Sequence, residues 1–191
     1  MKRNIVIGML AMLTAMPALA QYREVKLPEK PKQTGYRDYE NQDYGFWFAT
    51  EVEGGSTLKG DGLNMQFADA TVTAGYRFNQ FLKVGVGVGG RYYFNNGEVR
   101  GEDSKWGVPV FANVRGNIIS AYDRGAVPFW SVRLGTIINE GLYFSPSVGY
   151  SFGGMHNNFQ LSVAYVLTNP KYFNLERQTT SAFTLRLGYE F

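Results

Sequence analysis

The sequence predicts an all-β protein, an eight-stranded antiparallel up-and-down barrel that crosses a membrane. Three observations lead there. From Tyr44 to Phe191 the chain alternates apolar with small or polar residues in eight stretches, and a period of two is the signature of strands. The apolar face of every stretch lacks Asp, Glu, Lys and Arg, whereas the other face carries charges and glycines. Aromatic residues gather at the ends of the stretches with Val and Ala between them, as expected where rings mark two membrane–water interfaces.

The chain begins with Lys2 and Arg3, then the apolar run "IVIGMLAMLTAM", then Pro17 and a small-residue site at Ala18 to Ala20. Residues 1–20 therefore read as a cleaved signal peptide, with Gln21 opening the mature chain. A transmembrane anchor is the alternative, but the run is short for a bilayer span and ends in an A-x-A site. No cysteine follows it, which excludes a lipoprotein anchor and any disulfide framework. Without Lys2 and Arg3 the mature chain holds 17 basic against 16 acidic residues, so charge gives no reason to expect a nucleic-acid partner. Residues 21–43 are polar, carry Pro28 and Pro31, and balance five basic with five acidic side chains. Such a stretch buries too little apolar area to offset its ordering entropy and reads as a flexible periplasmic leader.

The barrel domain is expected over residues 44–191. Its first segment, 44–57, places Phe46, Phe48, Thr50 and Val52 on one face. The second (66–78) aligns Ala68, Ala70, Val72, Ala74, Tyr76 and Phe78, and the third (81–94) aligns Leu82, Val84, Val86, Val88, Tyr92 and Phe94. In the fourth (106–119) and fifth (126–138) the outward sets run from Trp106 to Ile118 and from Pro128 to Ile138. The sixth (142–152), seventh (159–168) and eighth (181–191) continue the pattern, ending on Phe183, Leu185, Leu187, Tyr189 and Phe191. A strand of about 13 residues tilted about 40° spans roughly 30 Å, the height of the apolar band.

Two architectures offer eight long alternating strands. A soluble lipocalin-like barrel turns its apolar face inward, and a membrane barrel turns it outward. An eight-stranded interior only just admits packed side chains, so the aromatics of the apolar face fit better outside. Connections also alternate in length, with 58–65, 95–105 and 169–180 long and 79–80 short. Long outer loops and short periplasmic turns are the outer-membrane pattern. The stretch 139–141 ("NEG") breaks it, being an outer connection of turn length.

The stretches "PVFANVRGN" (109–117), "PFWSVRLGT" (128–136), "GLYFSPSVGYSFGG" (141–154) and "FTLRLGYEF" (183–191) resemble the outer membrane protein beta-barrel domain family, the small OmpX/OmpA-like barrels of Gram-negative envelopes. The resemblance implies an eight-stranded barrel in the outer membrane, inserted by the barrel-assembly machinery. That machinery would read the last strand through Phe183, Leu185, Leu187, Tyr189 and Phe191.

Candidate sites are few. "GVGVGG" (85–90) matches G-x-G-x-x-G, but a dinucleotide site needs a helix to start there, and the alternation runs on into "RYYF". His156, the sole histidine, falls in an expected periplasmic turn with no nucleophile placed beside it by spacing. No cofactor and no metal are expected. The inward charges Glu51, Glu53, Asp69, Arg77, Arg91, Arg115, Arg133, Arg186 and Glu190 should pair across the lumen, because unpaired buried charges cost several kcal/mol. Glu51 and Glu53 are expected among Arg115, Arg133 and Arg186. Their pairing reads as a plug, with a gate or pore lining as the alternative. Tyr172 and Phe173 in the last outer loop suit either contact with an extracellular partner or an interfacial position. The expected role is a non-enzymatic structural or surface-interaction one, with outer-membrane lipid as surroundings. A narrow channel is the alternative, and a lipid-modifying enzyme would need a nucleophile and base that the outer side does not show.

Overall fold

The structure is a computed structural model that describes residues 44–58, 65–94, 105–121, 124–138, 140–153, 157–169 and 179–191. The signal peptide, the leader, His156, Tyr172 and Phe173 lie outside the described residues. Eight strands follow in order: β1 (Gly45–Thr57), β2 (Gln66–Asn79), β3 (Leu82–Tyr93), β4 (Trp106–Asn117), β5 (Ala126–Ile138), β6 (Gly141–Phe152), β7 (Asn158–Thr168) and β8 (Thr180–Glu190). Each pairs antiparallel with the next, and β8 returns to β1, so the sheet is a closed barrel. The barrel is all-β, and among the described residues there is no helix.

Closure follows from the sequence at both ends of the β1–β8 seam. The ladder runs from Ala49↔Glu190 to Thr57↔Ala182. It is extended beyond the strands by Phe191 N donating to Phe48 O (2.8 Å) and Leu58 N donating to Ser181 O (2.8 Å). No edge is left, so no row of unpaired backbone N–H and C=O groups is presented at a sheet margin.

The strands are rich in Val, Phe, Tyr and Thr, which fit a pleated surface. Three prolines sit inside them: Pro128 lies near the start of β5, just past the last β4–β5 register pair, while Pro109 and Pro146 fall mid-strand, which a central strand would tolerate poorly. The β3–β4 register runs from Lys83↔Arg115 to Val88↔Val110 and resumes at Arg91↔Gly107, skipping Pro109. The β6–β7 register likewise skips Pro146, between Phe144↔Leu167 and Ser147↔Ala164. Each of these two lacks an N–H, so each interrupts one ladder while the strand stays paired on its other side.

The short turns have local causes. Asn79 Oδ1 accepts the Phe81 backbone N–H at 2.8 Å, an Asx turn that reverses β2 into β3. Between β5 and β6, Glu140 N donates to Ile137 O (2.9 Å), and Gly141 takes φ 105°, a conformation that a side chain would strain.

The two faces are segregated along the whole barrel. All ten charged residues within the strands are buried: Glu51, Glu53, Asp69, Arg77, Lys83, Arg91, Arg115, Arg133, Arg186 and Glu190. The outward face is apolar. Val86 is 69 % exposed, and Leu134, Val148, Val52 and Leu185 are also open. Aromatics band both rims. At the end holding the start of β1 and the end of β8, Phe46 packs edge-on against Tyr76 and Tyr189 against Phe191. At the opposite, loop end, Tyr92 contacts Phe94 and Trp106, and Tyr165 contacts Phe183.

Candidate functional site

The lumen holds one continuous ion-pair network, built from inward positions on six strands. At the end near the chain terminus, Glu190 Oε1 accepts Arg77 Nη2 (2.8 Å) and Lys83 Nζ (2.5 Å). Its Oε2 accepts Gln160 Nε2 (3.1 Å) and lies 3.4 Å from Arg115 Nη1. Arg115 passes the chain on, donating from Nη1 to Gln160 Oε1 (2.8 Å) and from Nη2 to Glu51 Oε1 (2.9 Å).

Glu51 then meets Arg133 through its second oxygen. Arg133 also lies 3.5 Å from Glu53 Oε2, and the same oxygen accepts Arg186 Nε at 2.6 Å. Arg186 is steadied by Ser145 Oγ (3.0 Å) and Ser147 Oγ (3.4 Å). Near the loop end Asp69 takes both Nε and Nη2 of Arg91 (2.7 and 2.6 Å), the fork-on-fork geometry that only Arg supplies. Arg91 in turn comes within 4.0 Å of Glu53. Cations and carboxylates therefore alternate along the lumen, and every expected inward charge sits in the one network.

Register explains the cross-links. Glu53 lies opposite Asp69 on β2 and Arg186 on β8, and Asp69 lies opposite Arg91 on β3. Those pairs are neighbours in the sheet. Others span the lumen: Glu51 on β1 reaches Arg133 on β5 and Arg115 on β4, strands that are not hydrogen-bonded to β1. Only a narrow barrel brings them within contact.

Beside the charges stands a set of buried rings that attention to charge and glycine alone passes over. Arg91 lies over Phe67 (4.1 Å to the ring centroid), Arg115 over Trp47 (4.8 Å) and Arg133 over Phe111 (4.6 Å). Each guanidinium is thus held by a carboxylate at its edge and a ring at its face, an arrangement favoured when water is excluded. The glycine-rich wall of β3 seats two of these rings. A Cβ at Gly87 would fall 2.5 Å from Phe111 Cζ, and one at Gly85 would fall 3.0 Å from Trp47 Cζ2. The "GVGVGG" stretch is therefore strand, and its glycines are packing sites.

An apolar layer lies above the charges at the loop end, made by Met65, Phe67, Tyr93, Ile137, Tyr143 and Val166. Glu140, in the short β5–β6 turn, is fully buried there and accepts Tyr93 OH at 2.7 Å. At the other end Gln80 Oε1 accepts Ala121 N (2.8 Å) and Ser120 Oγ (3.1 Å), clasping the β2–β3 turn to the β4–β5 connection. The signal for the rings was present in the parity of the chain. Trp47, Phe67, Tyr93, Phe111 and Tyr143 all fall on the charged face of their strands.

Chemically, this arrangement sets six cations among four carboxylates of the strands, each carboxylate in contact with at least one cation. Among the described residues no group of three His, Cys, Asp or Glu side chains is placed to hold a metal. The five residues Phe183, Leu185, Leu187, Tyr189 and Phe191 form an exposed apolar stripe along β8.

Comparison with known proteins places the fold. No family model matches the chain, and no curated protein matches it. Among solved structures it is similar to Neisserial surface protein A (NspA), with a TM-score of 0.57 and 12% identity, covering 77% of this chain and 97% of that one. A de novo designed transmembrane β-barrel also matches, with a TM-score of 0.42 and 13% identity, covering 76% of this chain and 95% of that one.

Proposed function

We propose that this chain is an integral outer-membrane barrel with a non-enzymatic structural or surface-interaction role, its lumen plugged by paired charges. The observation that carries this reading is the segregation of charge: ten ionised side chains in the strands, all inward, and none on the outside. In water such a barrel would expose an apolar belt around its whole circumference, far beyond the few hundred Å² that a soluble monomer shows. In a bilayer the same belt is solvated, and the buried charges are held in ion pairs inside the barrel. The likeness to the Neisserial surface protein agrees with this reading at the level of fold.

The membrane assignment extends to topology. The residue 1–20 stretch acts as an export signal, the 21–43 leader lies in the periplasm, and the end of the barrel carrying Phe46 and Phe191 faces that side. The closing stripe from Phe183 to Phe191 serves the barrel-assembly machinery, and Tyr172 and Phe173 are candidates either for contact with an extracellular partner or for an interfacial position. Membership of the small OmpX/OmpA-like barrels rests on the quoted motifs of β4, β5, β6 and β8.

The plug is favoured over a conduit because each carboxylate of the strands except Asp69 is held by cations from at least two other strands. Opening a path would break several such contacts together. Two measurements test the proposal. Outer-membrane fractionation followed by a detergent gel should show a band whose migration changes on boiling, and recovery from the soluble periplasm would defeat the membrane assignment. In planar bilayers the folded protein should give no unitary current steps, and stable steps would replace the plug with a conduit.

A further inference from the structure

Outside the barrel an open groove of about 690 Å³ crosses the lipid-facing surface of β8, β1, β2 and β3, with one end on β7. Its first wall follows a register row: Phe159↔Tyr189, Tyr189↔Thr50, Thr50↔Val72 and Val72↔Val88. Its second wall is the next row, Leu187↔Val52↔Ala70. The rows run across the strands, and strands of such barrels are tilted by about 40°, so the groove climbs as it goes. It starts at Phe159 and Tyr189, the second residue from the terminal end of β7 and of β8, and finishes at Val88, midway along β3. Four inter-strand spacings of about 4.8 Å give a path of about 19 Å that rises about 12 Å. One leaflet of hydrocarbon is about 15 Å deep.

We propose that this groove holds one acyl chain of a phospholipid from the periplasmic leaflet. The inference rests on the membrane assignment above and adds a specific ligand to it. The groove is continuous with the barrel's apolar belt, and no charged side chain faces it from outside. Its lower end opens among aromatic rings, at the level where a headgroup would sit. Its upper end stops near mid-membrane, where a tail would stop. Ala70, between Val52 and the Gly90 position of β3, makes the depression, because a larger residue there would fill it. A second barrel is a poor occupant. A two-fold contact would set concavity against concavity and leave the space unfilled, and association in lipid depends on close packing.

The test uses the full chain folded in phosphatidylethanolamine–phosphatidylglycerol vesicles containing a trace of phospholipid with a photoreactive diazirine in its tail. Heat-modifiable migration is scored first, so failure to insert is read against the membrane assignment and not against the groove. After photolysis, adducts should be several-fold enriched on Thr50, Ala70, Val72 and Val88 over Leu134, Val148 and Val163, which are exposed elsewhere on the circumference. Ala70→Leu should abolish the enrichment, as should Val72→Phe if the first variant folds poorly, while Ala112→Leu on β4 should leave it intact. Even labelling around an inserted barrel would overturn the proposal. So would enrichment that survives both groove-filling variants. Since the chain has no cysteine, Thr50→Cys also reports directly on a partner copy: efficient disulfide dimers in the vesicles would assign this face to a second barrel and overturn the lipid.

Discussion

Glu51→Gln removes one charge from the middle of the lumen with almost no change in shape. Glu51 is 5 % exposed and holds Arg115 at 2.9 Å and Arg133 through its other oxygen. At an effective dielectric of about 20, one unit-charge pair at that distance is worth about 6 kcal/mol, opposed by several kcal/mol of desolvation for each ion. The neutral amide leaves two buried guanidinium groups short of a carboxylate. Removing one partner of a buried pair costs about 3–5 kcal/mol. The assay is reversible urea unfolding in lipid vesicles, followed by tryptophan fluorescence and by the folded band on a gel. With a slope of about 2 kcal/mol per M, the midpoint should fall by about 1.5–2.5 M. Arg133→Met combined with Glu51→Gln should lose less than the sum of the single changes, because the two residues share one contact. A Glu51→Gln midpoint within about 0.3 M of wild type, about 0.6 kcal/mol on that slope, would refute the idea that paired charges hold the lumen together.

Other perturbations probe the remaining parts of the design. Gly87→Val should cost about 1–3 kcal/mol in the same unfolding assay, because its side chain enters the space of the Phe111 ring and overpacks the lumen. Val86→Arg, at a 69 % exposed outward position, should cost about 2–4 kcal/mol in vesicles if that face meets mid-bilayer lipid. Leu187→Arg on β8 should behave alike, and tolerance of both would argue against the orientation of the faces. Raising salt from 0.1 to 1 M should leave the wild-type midpoint nearly unchanged, since buried pairs are screened far less than exposed ones. A large downward shift would mean that the network is wet.

Much of this fold was legible because a membrane barrel writes its architecture in parity. Period two located all eight strands to within about two residues, for example 126–138 against Ala126–Ile138. The strand ends were blurred where local chemistry intervenes. Segment four reads to 119, yet β4 stops at Asn117, and the Ile118 N–H still reaches Pro128 O at 2.8 Å. The inward position of Glu51, Arg115 and Arg133 was equally plain, since one face of each strand carries all its charge. Their partners across the lumen were harder to read. Which carboxylate meets which guanidinium depends on the stagger of eight strands around the closure, a quantity that no single strand encodes. For the same reason Gly87 and Phe111, on neighbouring strands, show their fit only once their register places them side by side. Buried Glu140 depended on Tyr93 from another strand, and nothing in "NEG" announces that partner.

The choice of cation in the lumen bears on what the barrel does. Among the described residues six lumen cations are buried, and five are arginines. Arg115 contacts Glu51, Glu190 and Gln160 while covering Trp47. Arg133 bridges Glu51 and Glu53 over Phe111, and Arg186 joins Glu53 to two serines. A planar fork with five donors ties several strands at once, whereas an ammonium group acts as a single compact point charge. Lys83 occurs at the terminal end of the network, donating to Glu190. A conduit for ions needs sites weak enough to release what they bind. Multidentate arginines locked between carboxylates and rings are the opposite, because each must break several contacts to move. The side-chain chemistry therefore ties the strands to one another across the lumen.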